Sequence, residues 1–132
     1  MRIDSEYMEK TLLQFALDYN VEEGEWITEK IHLSPVKILK GARIHVKHDT
    51  FFKAAIIMGK AYVMADEVMH SWIKEVLAKE PPEWWCDFKN LRKLDHELKK
   101  YDREIFDTHI YFLPAEEPTI ARPRMDVKWF EK

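Results

Sequence analysis

The feature that most constrains the fold is a strict alternation of apolar and basic side chains over residues 42–47. The three basic members are Arg43, His45 and Lys47, and the residues between them are apolar. Because successive side chains of a β-strand point to opposite faces, this pattern predicts a strand with one buried face and one cationic face. Residues 26–33 alternate in a similar way and predict an earlier strand.

The strand at 42–47 is expected to be one arm of a hairpin. Residues 36–39 supply the other arm, and Lys40 and Gly41 lie between the two. Glycine readily adopts the positive φ that tight hairpin turns require. The sequence therefore predicts three strands in the first third of the chain.

A long central helix is predicted over residues 50–79. Its apolar residues recur at intervals of three and four, and its first half is apolar nearly all round. A helix of that kind belongs in the centre of a domain. The same spacing leaves open a coiled coil between two copies, so the chain is expected to be a monomer or a homodimer.

The first helix is predicted to begin at Asp4 or Ser5 and to stop at Asn20. It lies in an acidic region, because residues 1–26 carry a net charge of −5, whereas residues 28–53 carry +4. The overall net charge of −3 conceals this segregation. A local field of either sign is therefore available to a partner.

Pro81 and Pro82 are expected to end the second helix and to start the third, with Asp87 as a second possible N-cap. Apolar residues from Phe88 to Ile105 recur on one face, which should pack on the core. Trp84 and Trp85 are expected to fill the corner between the second and third helices.

Basic residues occupy the opposite arc of this third helix and form a stripe along it. Carboxylates at four-residue spacing would make the stripe an ordinary solvated face, whereas like charges at the same spacing favour an anionic partner. The stripe consists of Lys89, Arg92, Lys93, His96, Lys99, Lys100 and Arg103.

Residues 108–113 and 125–130 predict two more strands, and three prolines make residues 114–132 an extended segment. The predicted element order is α-β-β-β-α-α-β-β. This is a single α+β domain over residues 1–132, with a small, mostly antiparallel sheet packed on the central helix. A chain of 132 residues that is 46% hydrophobic can bury such a core without disulfides or metal.

Several classes of protein are disfavoured by what the sequence lacks. The single Cys86 has no disulfide or zinc-ribbon partner, and three glycines leave no glycine-rich phosphate loop, so no cofactor is predicted. The longest apolar stretch is interrupted by lysines and is shorter than the roughly 20 residues of a membrane span. The N-terminus does not resemble a signal peptide, so we expect a cytoplasmic protein without a membrane partner. Few amides and many charges point to a thermophile source.

Two residue pairs suggest catalytic or metal chemistry. Glu67 and His70 have the spacing by which one helix offers two ligands to a metal. Arg103 and His109 have five residues between them, which resembles the R-x4-6-H pair of HEPN-type ribonucleases. That resemblance implies His109 as general acid or base and Arg103 as the group that stabilises phosphate charge.

Three functions remain open from the sequence. The first is a non-enzymatic protein that contacts nucleic acid, and the second is a protein-binding accessory or inhibitor, for example from a virus or mobile element. The third is a small hydrolase built on either residue pair, although an enzyme is the weaker expectation. The residues expected to contact nucleic acid are Lys37, Lys40, Arg43, His45, Lys47, Lys89, Arg92, Lys93, Lys99 and Arg103.

Overall fold

A three-stranded sheet separates two helical layers in the computed structural model, which describes residues 5–21, 29–43 and 50–110. The regular elements in chain order are α1 (Ser5–Asp18), β1 (Ile31–Ser34), β2 (Phe52–Ile57), β3 (Lys60–Ala65), α2 (His70–Glu75) and α3 (Phe88–Lys99). Short 3-10 turns at Glu67–Met69, Leu77–Lys79 and Pro82–Trp84 connect the last three. The predicted α+β class is confirmed.

Strand β3 lies in the middle of the sheet. It pairs in parallel with β1, where Ile31 faces Ala61, and antiparallel with β2, where Phe52 faces Ala65. The sheet is therefore mixed, because the chain crosses from β1 over to β2 before it returns through β3. Among the described residues, this is the whole sheet.

The two faces of β3 pack on different helices. Val63 and its strand neighbours on one face join a core with residues of α2 and α3, including Ile73 and Leu98. Tyr62 and Met64 on the other face pack against α1. Because both faces are covered, all of β3 after its first residue is buried.

The predicted helix over residues 50–79 is wrong, since residues 52–65 form the β2–β3 hairpin and the only α-helix in the segment is α2. A strand buried on both faces is apolar at every position, and periodicity alone does not distinguish it from a buried helix. The turn consists of Met58 and Gly59, with φ angles of 51° and 75°. Positive φ at both positions matches the two-residue turn that suits the twist of a hairpin. The coiled coil between two copies was predicted from this helix, so it has no structural basis without it.

The expected hairpin at residues 36–47 is also wrong over its described part. A turn does form there, because the Ala42 N–H donates to the Leu39 carbonyl at 3.1 Å and Gly41 has a φ of 90°. The flanking residues 35–39 and 42–43 are not strands, and Val36 and Ile38 are exposed. Residues 44–47 lie outside the described part of the chain.

Helix α1 begins and ends where predicted, and α3 takes the second of its two predicted starts and not the one at the prolines. Asn20, just beyond α1, has a positive φ of 52°. Helix α3 begins after Asp87 but ends at Lys99, before the predicted Ile105. Asp102 turns the chain with a φ of 58°, and the Ile105 N–H donates to the Asp95 carboxylate at 2.9 Å. That bond brings Ile105 back against the core.

Only part of the C-terminal predictions concerns residues that the structure describes. Residues 108–110 are not a strand in the structure. The rest of the strand predicted at 108–113, the extended segment 114–132 and the strand at 125–130 all lie outside the described residues.

The hairpin turn gives a direct test of the fold. The left-handed backbone conformation of Met58 is unfavourable, and burial of the side chain does not offset this cost because Met58 is 76% exposed. We expect Met58→Asn to raise the free energy of unfolding by about 0.5 kcal/mol, since asparagine tolerates this conformation and Asn-Gly is the preferred turn pair. Urea titration measures the change.

Met58→Ala is the matched control and should be close to neutral, because it removes the same side chain but keeps the strained backbone. If residues 50–79 were helical, Met58→Asn would instead destabilise the protein by about 0.5 kcal/mol. The sign of the change therefore separates the two folds.

Candidate functional site

Arg43, the first basic residue of the alternating segment, faces α1. Its Nε and Nη2 lie 2.8 and 2.6 Å from Oδ2 of Asp18, and its backbone N–H donates to Oδ1 at 2.7 Å. The guanidinium also lies 5.3 Å from the centre of the Phe15 ring. Arg43 therefore fastens the turn at residues 39–43 to α1, and its charge is largely balanced by one carboxylate.

Asp18 is held in its ionised form by these contacts. Its side chain is only 3% exposed, and this burial by itself would raise the pKa. The hydrogen bonds from Arg43, together with one from Gln14 at 2.9 Å, outweigh burial and hold the pKa below the usual value for aspartate. Asp18 and Arg43 thus form a structural ion pair at the end of α1.

The other described cations of the N-terminal half lie in different surroundings. Lys37 and Lys40 are exposed on the segment that follows β1. Lys53, which points toward α1 from β2, lies with its ammonium 4.6 Å from the centre of the Tyr19 ring. Burial lowers the pKa of Lys53. His45 and Lys47 lie outside the described residues.

The basic stripe of α3 is present, but most of its cations have partners. Lys99 contacts Asp95 at 3.0 Å, and Lys100 contacts the buried carboxylate of Glu97 at 2.7 Å. The Arg103 guanidinium lies 5.1 Å from the centre of the Phe51 ring. The stripe is therefore largely an ion-paired helix face, which is the first of the two interpretations that the sequence left open.

The first turn of α3 differs from the rest of the stripe. Lys89 and Lys93 approach the same carboxylate, that of Glu80, at 3.7 and 3.9 Å. Arg92 forms no ion pair with any described residue and lies with its guanidinium 4.1 Å from the centre of the Phe88 ring. Of these three cations, Lys89 and Lys93 share one carboxylate and Arg92 has none among the described residues.

Two large aromatic side chains are exposed in this part of the chain, and Phe88 is the one in contact with Arg92. Trp84 is 57% exposed and Phe88 is 68% exposed, whereas Trp85 between them is buried. The expectation that both tryptophans fill the corner is therefore wrong for Trp84, and Phe88 does not lie on the core face. We call Trp84, Phe88 and Arg92 the aromatic–arginine patch.

The patch rests on a well-connected base. The Trp84 carbonyl accepts hydrogen bonds from the Asp87 N–H at 3.0 Å and from the buried Asn90 side chain at 2.8 Å. The indole N–H of Trp85 donates to the Glu80 carbonyl at 2.9 Å. Two adjacent tryptophans in one turn point in different directions, so anchoring one in the core leaves the other outside.

Neither predicted catalytic or metal pair gains support as a site. His70 donates from Nε2 to the Ala65 carbonyl at 2.8 Å, while Glu67 is exposed. His109 lies 3.2 Å from Asp107, whereas Arg103 lies against Phe51, so the two pair with different groups. Within residues 5–21, 29–43 and 50–110, no three His, Cys, Asp or Glu side chains cluster as metal ligands.

Comparisons with known proteins give no further assignment. No family model matches the chain, and no curated protein or solved structure is significantly similar to it. No helix in the described part of the chain has the length and apolar character needed to cross a membrane.

The Asp18–Arg43 pair predicts a specific stability defect. We expect Asp18→Asn to destabilise the protein near the lower end of the about 3–5 kcal/mol seen when a buried ion pair is broken, because Arg43 is half-exposed. Thermal and urea unfolding at neutral pH measure the loss. Lys37→Ala, which removes an exposed cation elsewhere, is the control and should change stability little.

The same pair predicts how the defect depends on pH. Because the folded pKa of Asp18 lies below the unfolded value of about 4, its contribution is fully present above that pH and is lost as the pH falls through the folded pKa. The gap between wild type and Asp18→Asn should therefore narrow below pH about 4. A gap that stayed constant into acid would contradict the role given to the carboxylate charge.

Proposed function

We propose that this chain is a non-enzymatic binding protein and that it docks a protein partner at the aromatic–arginine patch. The observation that supports the proposal is the exposure of Trp84 and Phe88, four positions apart in sequence, with Phe88 in contact with an arginine that has no ion-pair partner among the described residues. Trp and Arg are the residue types that contribute most often to binding energy at protein interfaces. Leaving both aromatic rings in water is unfavourable, and a partner would remove that cost.

The rigidity of the patch supports the same function. Trp84 is the last residue of the 3-10 turn Pro82–Trp84, which leads into the buried Trp85, and Phe88 is the first residue of α3. Because the backbone of both residues is already ordered, little backbone entropy is lost when a partner binds. The patch is therefore organised before binding.

Single-stranded nucleic acid is the second candidate. Bases stack on exposed aromatic rings beside cations, and Lys89, Arg92 and Lys93 were expected to contact nucleic acid. The ion pairs along α3 favour a protein instead, because a phosphate backbone gains affinity from several unpaired cations acting together. The experiment must therefore include both kinds of partner.

We predict that the full chain selects peptides from a phage-displayed random library through the aromatic–arginine patch. The double variant Trp84→Ala/Phe88→Ala should weaken binding of the selected peptides about tenfold or more, the size expected when interface anchors are truncated. Binding is measured by fluorescence anisotropy or calorimetry. Both side chains are largely in water, so the variant should fold, and circular dichroism with thermal unfolding checks this.

Phe106→Ala is the matched control, because Phe106 is a phenylalanine that is 81% exposed and lies beyond α3. It should leave peptide binding unchanged. A labelled single-stranded oligonucleotide forms the second arm of the experiment. Retention of that oligonucleotide at physiological salt, lost in the double variant, would replace the protein partner with nucleic acid, and failure to select any patch-dependent peptide would remove the proposal.

A further inference from the structure

We infer that the partner presents a carboxylate to Arg92 together with an apolar side chain to the two rings, so that this surface recognises an acidic, aromatic- or aliphatic-anchored segment of a protein. The inference rests on the proposed function and specifies its partner.

The position of the Arg92 side chain suits it to bind a planar anion. One face of the guanidinium is covered by the Phe88 ring at 4.1 Å, and no carboxylate pairs with it in the part of the chain that the structure describes. Stacking leaves the N–H groups at the edge of the guanidinium available, in the fork that matches a carboxylate with two parallel hydrogen bonds. The ring therefore limits the freedom of the guanidinium without occupying its donors.

The charges around Arg92 select an acidic partner. Residues 88–94 carry Lys89, Arg92 and Lys93 and no Asp or Glu, while Asp87 and Asp95 lie at either end of this stretch. Lys89 and Lys93 both approach the carboxylate of Glu80, whereas Arg92 has no ion-pair partner among the described residues. Opposite charge on a partner would be attracted to this end of α3 and would fix its register.

The same arrangement favours one carboxylate over a chain of phosphates. Lys99 and Lys100, further along α3, are already paired with Asp95 and Glu97. Glu83 lies at the β2–β3 turn, where its Oε1 would come within 2.8 Å of a Cβ at Gly59. A polyanion running along the helix would meet paired cations and these carboxylates, whereas a single acidic side chain needs only Arg92.

The test combines changes in Arg92 with changes in the peptides selected as above. In each selected peptide, Asp or Glu is changed to Asn or Gln. We expect Arg92→Ala to weaken binding of the acidic peptide about tenfold, as for a close interfacial charge pair. The amide peptide should bind wild type equally weakly, and combining the two changes should cause little additional loss.

Two further variants separate the guanidinium from charge alone. Arg92→Lys keeps the charge but loses the planar fork, so it should recover only part of the affinity. Lys99→Ala is the control on the same helix, because Lys99 is paired with Asp95, and it should change affinity little.

The outcomes distinguish this inference from the proposed function. If Arg92→Ala behaves like Lys99→Ala while Trp84→Ala/Phe88→Ala still abolishes binding, the carboxylate inference is overturned and the docking surface stands. If the aromatic double variant also has no effect, the proposed function fails. If a phosphorylated peptide or an oligonucleotide depends on Arg92 while carboxylate peptides do not, phosphate replaces carboxylate and the inference is again overturned.

Discussion

Burial of β3 on both faces is the constraint on which the rest of this structure depends. Val63, Met64 and Ala65 are completely inaccessible to water, so helices must cover the sheet on both sides. Helix α1 provides one cover, and the segment from α2 to α3 provides the other. Each cover buries only one side of its own helix, which leaves the outer sides of α1 and α3 as the exposed helical surfaces of the described domain. The position of the aromatic–arginine patch follows from this layering.

The same burial explains where sequence reasoning succeeded and where it did not. Helices α1 and α3 each have one buried and one wet face, so their 3.6-residue period identified them. The strands β2 and β3 gave no equivalent contrast, because every residue in them except Lys53 and Lys60 is apolar or aromatic. Met58 and Gly59 also lack the Asn-Gly signature that would have indicated a two-residue turn. The α+β class survived this error because it requires only helices and a small sheet, and both form even though two of the three strands lie where a helix was predicted.

Only part of the aromatic–arginine patch could be predicted from the sequence. The cationic arc of α3 was evident from its spacing, and Arg92 belongs to it. The sequence did not determine whether the neighbouring cations of α3 form ion pairs, because it places both opposite and like charges three or four residues apart. Which of two adjacent tryptophans enters the core depends on the direction of one turn, and no periodicity reports that. The pairing of Arg43 with Asp18 was not predicted. Asp18 is buried beside the apolar stripe of α1, and a buried carboxylate requires a cation from elsewhere in the chain.

The mixed sheet also implies an order of events during folding. The β2–β3 hairpin joins neighbouring segments through two residues, and hairpins of this kind close within microseconds. Pairing β1 with β3 brings together Ile31 and Ala61 across a loop that contains β2, which carries a larger entropic cost. The hairpin with its apolar faces is therefore the natural nucleus, and β1 joins afterwards. Changes in the Met58–Gly59 turn should thus alter the rate of folding, while changes in β1 should mainly alter the rate of unfolding.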